Sequence, residues 1–165
     1  MNSPRILIIT ANYPPYHLGG YGLRIKGIVD GLRQRGFCIK VLTTKHSQND
    51  KTAAQSHSYS IYRKLHNRYN ARFFLKEVLF DIFDINFIDQ QINTFNPDVI
   101  YLGHINVLTK SLLPYLSTIN IPVILDEGGA SLKGAWTERG RWFRFTVDYG
   151  SKNIIIQMLK PVVIK

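Results

Sequence analysis

The sequence predicts an α/β domain built on a mostly parallel sheet. Short runs that are apolar at nearly every position, Ile6–Ile9 (ILII), Val99–Leu102 (VIYL) and Ile121–Leu125 (IPVIL), read as strands, the first buried on both faces and the second a short buried strand. Between such runs, apolar residues recur at three- and four-residue steps, the spacing of one helix face. Gly36 and the Asn96-Pro97-Asp98 run punctuate the helices.

Taken in order, Ile6–Ile9 is the first strand, and Ala11–Tyr21 is a loop with two prolines, an aromatic cluster and a Gly-Gly pair. From Gly22 the spacing is helical. Leu23, Ile25, Ile28, Val29 and Leu32 fall on one side and Arg24, Lys26, Asp30 and Arg33 on the other, with Gly36 as the stop. Phe37–Leu42 reads as the second strand, completing a strand-helix-strand unit of a length suited to a right-handed parallel crossover. Thr43–Ser58 is polar and without period, the signature of a mobile surface loop, and Tyr59–Tyr62 is a short edge strand.

A long helix is expected over Ala71–Phe95, from Phe74, Val78, Ile82, Ile85, Ile88 and Ile92. Phe73, Leu75, Leu79, Phe80, Phe83 and Phe87 widen its apolar stripe, which implies deep burial or an additional contact surface. After the strand Val99–Leu102 comes Gly103-His104, then a helix capped by Asn106 that buries Val107, Leu108, Leu112, Leu113 and Leu116. Asp126-Glu127-Gly128-Gly129 follows the Ile121–Leu125 strand. Beyond Ala130 the pattern weakens to a loop and helix mixing arginines with aromatics, then an apolar run divided by Pro161.

At 165 residues the chain is most simply one domain. Lys and Arg outnumber Asp and Glu by 21 to 11, a balance of +10. That excess favours an anionic partner, whether nucleic acid, a nucleotide phosphate or an acidic membrane surface, although part of it can serve solubility alone. The single cysteine, Cys38, excludes an internal disulfide and offers no metal framework; between Phe37 and Ile39 it reads as a buried, inert thiol. The N-terminus lacks a signal pattern, and no run approaches the ~18 apolar residues of a membrane span. A cytoplasmic domain is expected, one that touches a membrane, if at all, from the inner face.

Ligands of parallel sheets bind outside the carboxyl ends of the strands. The glycine loop, Gly103-His104 and Asp126–Gly129 all fall on that edge. A strand, a glycine turn and a helix N-terminus form an anion site, because the glycines admit a phosphate to the backbone and the first-turn N–H groups point at it. Gly19, Gly20 and Tyr21 are the residues placed there, with a plain tight turn as the alternative. The loop lacks the Lys and Ser/Thr of a P-loop and the full spacing of a dinucleotide fingerprint, which argues against ATP and NAD. Asp126 and Glu127 have the chemistry of a base toward an acceptor hydroxyl, or of a helix cap plus a surface charge. His104 is an acceptor-site residue or a hydrogen-bonded structural histidine, and His17 is a polar group of the cleft or simply solvated.

Two stretches carry a family resemblance. YPPYHLGGYGLRIKGIVDGLRQRGFCIKVLTT resembles the opening of family 4 glycosyltransferases of the GT-B fold, and FNPDVIYLGHINVLTKSLLPYL, followed by NIPVIL, is similar to their strand-histidine-helix segment and next strand. The resemblance spans residues 5–127. It implies a Rossmann-like three-layer domain, the acceptor-side N-terminal half of an enzyme whose C-terminal half holds most of the sugar-nucleotide site. It also implies that the backbone at Gly19 and Gly20 reaches the donor diphosphate, and that transfer retains anomeric configuration. The sequence departs from the family where Gly22 and Leu23 replace a common acidic residue, and where Asp126–Gly129 replaces a common histidine. It also has no E-x7-E donor motif. One domain of this length leaves no room for the donor-binding half, so the chain alone is expected to be inactive. The donor, a nucleotide diphosphate sugar, is then a substrate that needs the missing domain, with no tightly bound cofactor and no metal. The acceptor is a glycan or lipid-linked hydroxyl.

The stretch Tyr62–Lys76 (YRKLHNRYNARFFLK) interleaves Arg63, Lys64, Arg68, Arg72 and Lys76 with Leu65, Tyr69, Phe73 and Phe74. It resembles an interfacial segment contacting an acceptor or an anionic membrane, or else a solvated helix face over a core stripe. Nucleic acid is the rival partner, but no recognition motif accompanies these residues. The alternative to the enzyme is a non-catalytic basic α/β module that binds anionic membrane or nucleic acid.

Overall fold

A computed structural model describes residues 3–16, 19–46, 53–56, 59–67, 70–71, 74–109 and 111–126. Its elements are β1 (Arg5–Thr10), α1 (Gly20–Gln34), β2 (Cys38–Thr44), β3 (Ala53–Ser56), β4 (Tyr59–Leu65), α2 (Phe74–Phe95), β5 (Val99–Leu102), α3 (Leu112–Leu116) and β6 (Val123–Leu125). The strands form one sheet in the order β3-β4-β2-β1-β5-β6. Every pairing is parallel except that of β3 with β4. This is the Rossmann-like α/β fold that the sequence predicts.

The double-sided burial inferred for the first strand has a direct structural basis. Leu7 and Ile9 join one core cluster with Ile88 and Ile92 of α2 and Leu112, Tyr115 and Leu116 of α3. Ile8 joins the other, with Ile25 and Val29 of α1 and with Ile39, Val41 and Ile61. Alternate residues of β1 thus feed opposite faces of the sheet, and helices cover both.

Chain order reverses at β1. The chain leaves β1 through α1 to reach β2 on one side, and later returns through α2 to β5 on the other side. A crevice opens at such a switch point, outside the carboxyl ends of β1 and β5.

Several local expectations are corrected. Leu23 is 54% exposed, and the buried face of α1 is Gly22, Ile25 and Val29. Thr43 and Thr44 are no loop residues: β2 runs through them, and their hydroxyls donate to the Ala11 carbonyl. Ala53–Ser56, placed in the same loop, is an antiparallel strand, so β4 is an interior strand and extends to Leu65. Asn106 caps no helix, because α3 begins only after Ser111. Cys38 is free and half-buried at the start of β2. The stop after α2 is as expected, with Asn96 in the left-handed region (φ 47°).

Candidate functional site

The site is built on the carboxyl ends of β1, β5 and β6 and the first turn of α1. Backbone bonds carry the ladder past the formal strands. The Gly103 N–H donates to the Ile9 carbonyl at 2.9 Å, Ala11 N–H to His104 O at 2.7 Å, and Asp126 N–H to Leu102 O at 2.8 Å. These bonds fix Asn12, His104 and Asp126 relative to one another before any side chain is considered.

Gly103 is there for closeness. A Cβ at this position would lie 3.0 Å from Ile25 Cδ1 and 3.0 Å from Thr10 Oγ1. Its absence lets α1 pack down onto the sheet edge, and so sets where the N-terminus of α1 points.

That N-terminus begins at Gly19, whose φ of 74° and ψ of −170° belong to a region essentially reserved for glycine. Gly19 provides no side-chain cap, and the first turn of α1 contains no acidic residue. The end of the helix macrodipole therefore receives no negative group from its own turn. A Cβ at Gly20 would meet nothing within 4 Å, so the space beside the turn is open.

Tyr21 bridges the pieces. Its hydroxyl donates to the Asp126 carbonyl at 2.7 Å, and its ring lies 5.3 Å from the His104 ring. The Asp126 carboxylate accepts from Arg24 Nη2 at 2.7 Å through Oδ1 and from the Tyr101 hydroxyl at 2.5 Å through Oδ2. Burial and then the neighbouring carboxylate push the Tyr101 phenol above its ordinary pKa, keeping it a proton-bearing donor. Both Asp126 oxygens are thus engaged, one by Arg24 and the other by Tyr101, which ties the carboxylate to α1 and β5.

His104 is more open to chemistry. The Asn12 amide nitrogen lies 3.3 Å from His104 Nδ1. An amide nitrogen only donates, so Nδ1 accepts and the proton resides on Nε2. Partial burial lowers the imidazole pKa, which favours this neutral form. The result is an oriented N–H donor at the switch point.

The sheet edge continues toward β2 and β4. Arg63, expected at an acceptor or membrane surface, is 7% exposed and turned inward. Strand alternation puts it on the same side as buried Tyr59 and Ile61. Its guanidinium donates to the Tyr13 carbonyl at 3.1 Å and to the Pro14 carbonyl, anchoring the loop after β1. Lys64, one residue on, is exposed. The expected interfacial segment is therefore no single helix face. His17, Arg68, Arg72 and Glu127 lie outside the described residues.

The structure thus brings together Gly19, Gly20, Tyr21, His104 and Asp126, and adds Asn12, Arg24, Tyr101 and Gly103, which sequence reasoning missed. Arg24 carried only the weak signal of a basic residue in the first turns of the helix after the glycine pair. Nothing local marks Tyr101 or Gly103, whose roles exist only in the assembled sheet. Among the described residues, no group of three or more His, Cys, Asp or Glu side chains is placed to hold a metal ion. No helix there is long and apolar enough to cross a membrane.

No protein-family model matches the sequence, and no curated protein does. Among solved structures, the chain is similar to a sucrose-phosphate synthase from Thermosynechococcus elongatus, with a TM-score of 0.61 and 12% identity over 97% of this chain. The match covers 40% of that enzyme's chain. Another structure of the synthase aligns with a TM-score of 0.47 and 11% identity over 94% of this chain and 98% of that one. At this identity the likeness is one of fold, a Rossmann-type α/β domain, and the chain spans less than half of the synthase's length.

Proposed function

We propose that this chain is the acceptor-side, N-terminal domain of a family 4 glycosyltransferase, which moves a sugar from a nucleotide diphosphate sugar to a hydroxyl of a glycan or lipid-linked acceptor. One observation carries the proposal: the glycine turn at the start of α1, His104 and the Arg24–Asp126 pair converge at the topological switch point. The likeness in fold to a sucrose-phosphate synthase supports it.

In this reading the first-turn N–H groups of α1 face the donor diphosphate, and Gly20 leaves room for it. Arg24, fixed by Asp126, adds a cation beside the same helix end. Together they offset charge growing on the leaving diphosphate, a task for prearranged dipoles and cations that need not reorganise during the reaction. His104, neutral with its proton on Nε2, donates to a sugar or acceptor hydroxyl and orients it. The remaining sugar and nucleotide contacts come from a second domain, so residues 1–165 by themselves bind without turning over.

The test is release of nucleotide diphosphate and sugar transfer from a panel of nucleotide diphosphate sugars by the natural polypeptide carrying these residues. His104→Ala is assayed alongside. Donor-dependent transfer that drops about tenfold or more in the variant supports the proposal. Failure with every donor, or an unchanged rate in the variant, overturns it for the enzyme or for His104 respectively. Transfer by purified residues 1–165 overturns the two-domain division.

A further inference from the structure

We propose that the outer face of the first turns of α2 is a docking surface for an anionic lipid bilayer. Three large apolar side chains stand exposed there at four-residue steps: Leu75 at 72%, Leu79 at 51% and Phe83 at 60%. That spacing places them in one row along the helix. The carboxylates of the same turns point the other way. Glu77, Asp81 and Asp84 are buried, with Asp81 accepting from Thr109 and Ser111, and Asp84 from the backbone and ring of His66.

This half of α2 is therefore inverted, acid inward and hydrocarbon outward. Exposed apolar residues scattered singly are ordinary, but a continuous row is the mark of a contact surface. The core does not use it: the core-facing residues of α2 are Ile88 and Ile92, with Ile85, Phe87 and Phe95 packed beside them.

Charge selects the occupant. Lys76 Nζ lies 5.4 Å from the Phe80 ring and Lys64 Nζ 5.3 Å from the Phe87 ring, so cations border the row. Along α2, no exposed carboxylate precedes Asp89 among the described residues. A second copy of the chain would set the same lysines, and the same net charge of +10, against each other. An anionic leaflet instead takes the apolar row into its acyl boundary and pairs with the lysines, each strengthening binding about fivefold. The inference stands on α2 and its flanking lysines and is independent of the catalytic proposal.

The experiment is co-sedimentation of the chain with phosphatidylcholine vesicles, with and without phosphatidylglycerol, across a salt series. Binding that needs phosphatidylglycerol and weakens with salt is expected. Leu79→Asp combined with Phe83→Asp should lower the partition coefficient about tenfold or more, as should Lys64→Glu combined with Lys76→Glu. Circular dichroism and melting of both variants should match the parent, because all four side chains are solvent-facing. No binding to anionic vesicles, or equal binding by the parent and the Leu79/Phe83 variant, overturns the proposal. So does unfolding of that variant, which would mean the row is covered by this chain itself. A dimer that the variant dissolves would make a second copy the occupant and overturn it too.

Discussion

Arg24 in α1 and Asp126 after β6 meet at 2.7 Å although 102 residues separate them. The pair, with Tyr101, makes a single hydrogen-bonded cluster that joins α1, β5 and the end of β6. Arg24 is more than half exposed whereas Asp126 is nearly buried, so solvent screens the guanidinium's share. A double-mutant cycle with Arg24→Ala and Asp126→Asn, read by urea denaturation, should give a coupling of about 0.5–1 kcal/mol. Tyr101→Phe should cost a further ~1 kcal/mol. In the proposed enzyme, Arg24→Ala should impair sugar transfer far more than it impairs stability.

The two loop glycines should part company on mutation. Gly19→Ala forces a Cβ into a conformation that costs about 1–3 kcal/mol, and its melting temperature should fall accordingly. Gly20→Ala lies in the first helical turn with open space around it, and should leave stability within about 1 kcal/mol of the parent. A Gly20→Ala protein that folds normally yet loses donor-dependent activity would locate the phosphate beside this backbone. Undiminished activity would remove that assignment.

Gly103→Ala overpacks the contact between β5 and α1 and should destabilise the fold by about 1–3 kcal/mol. The added Cβ meets the terminal methyl of Ile25 and, equally close, Thr10 Oγ1; Ile25→Val in the same background relieves the first contact and should recover part of the loss. Failure of that rescue would shift the blame to the Thr10 side chain, the other close neighbour.

Asp81 should shape stability against pH. Burial raises its pKa from 3.8 to about 6, only partly offset by the Thr109 and Ser111 hydroxyls and reinforced by Glu77 and Asp84. A group raised on folding contributes stability that is full below its unfolded pKa and is lost as pH rises through its folded value. That contribution should fade between pH 3.8 and about 6. Asp81→Asn, which cannot ionise and whose hydroxyl partners can rotate, should gain on the order of 2–3 kcal/mol at neutral pH. Urea melts of parent and variant at several pH values check both the sign and the window.

Strand and helix order were legible because burial imposes a period on the residues it covers. Ile6–Ile9 and Val99–Leu102 are apolar throughout, since both faces of β1 and β5 are covered. β3 escaped notice because an antiparallel edge strand of Ala-Ala-Gln-Ser has no apolar alternation to display. Arg63 misled for a related reason: a basic residue beside aromatics looks like a surface, but here three-dimensional neighbours offer it two loop carbonyls and burial becomes affordable. The wide stripe of α2 announced surplus apolar surface without telling which part stayed outside.

For the site, the sequence alone determined the glycine turn, the histidine after β5 and the acid after β6, because each sits at a strand end that punctuation marks. Tertiary structure decided what each one touches. It joined Asp126 to Arg24 and Tyr101, set His104 against Asn12, and packed Gly103 against Ile25 and Thr10. The physical reason is that burial and periodicity act along a few consecutive residues and leave a local trace. Hydrogen-bond partners and close contacts are chosen across the sheet, between residues whose separation in sequence carries no information about their distance in space.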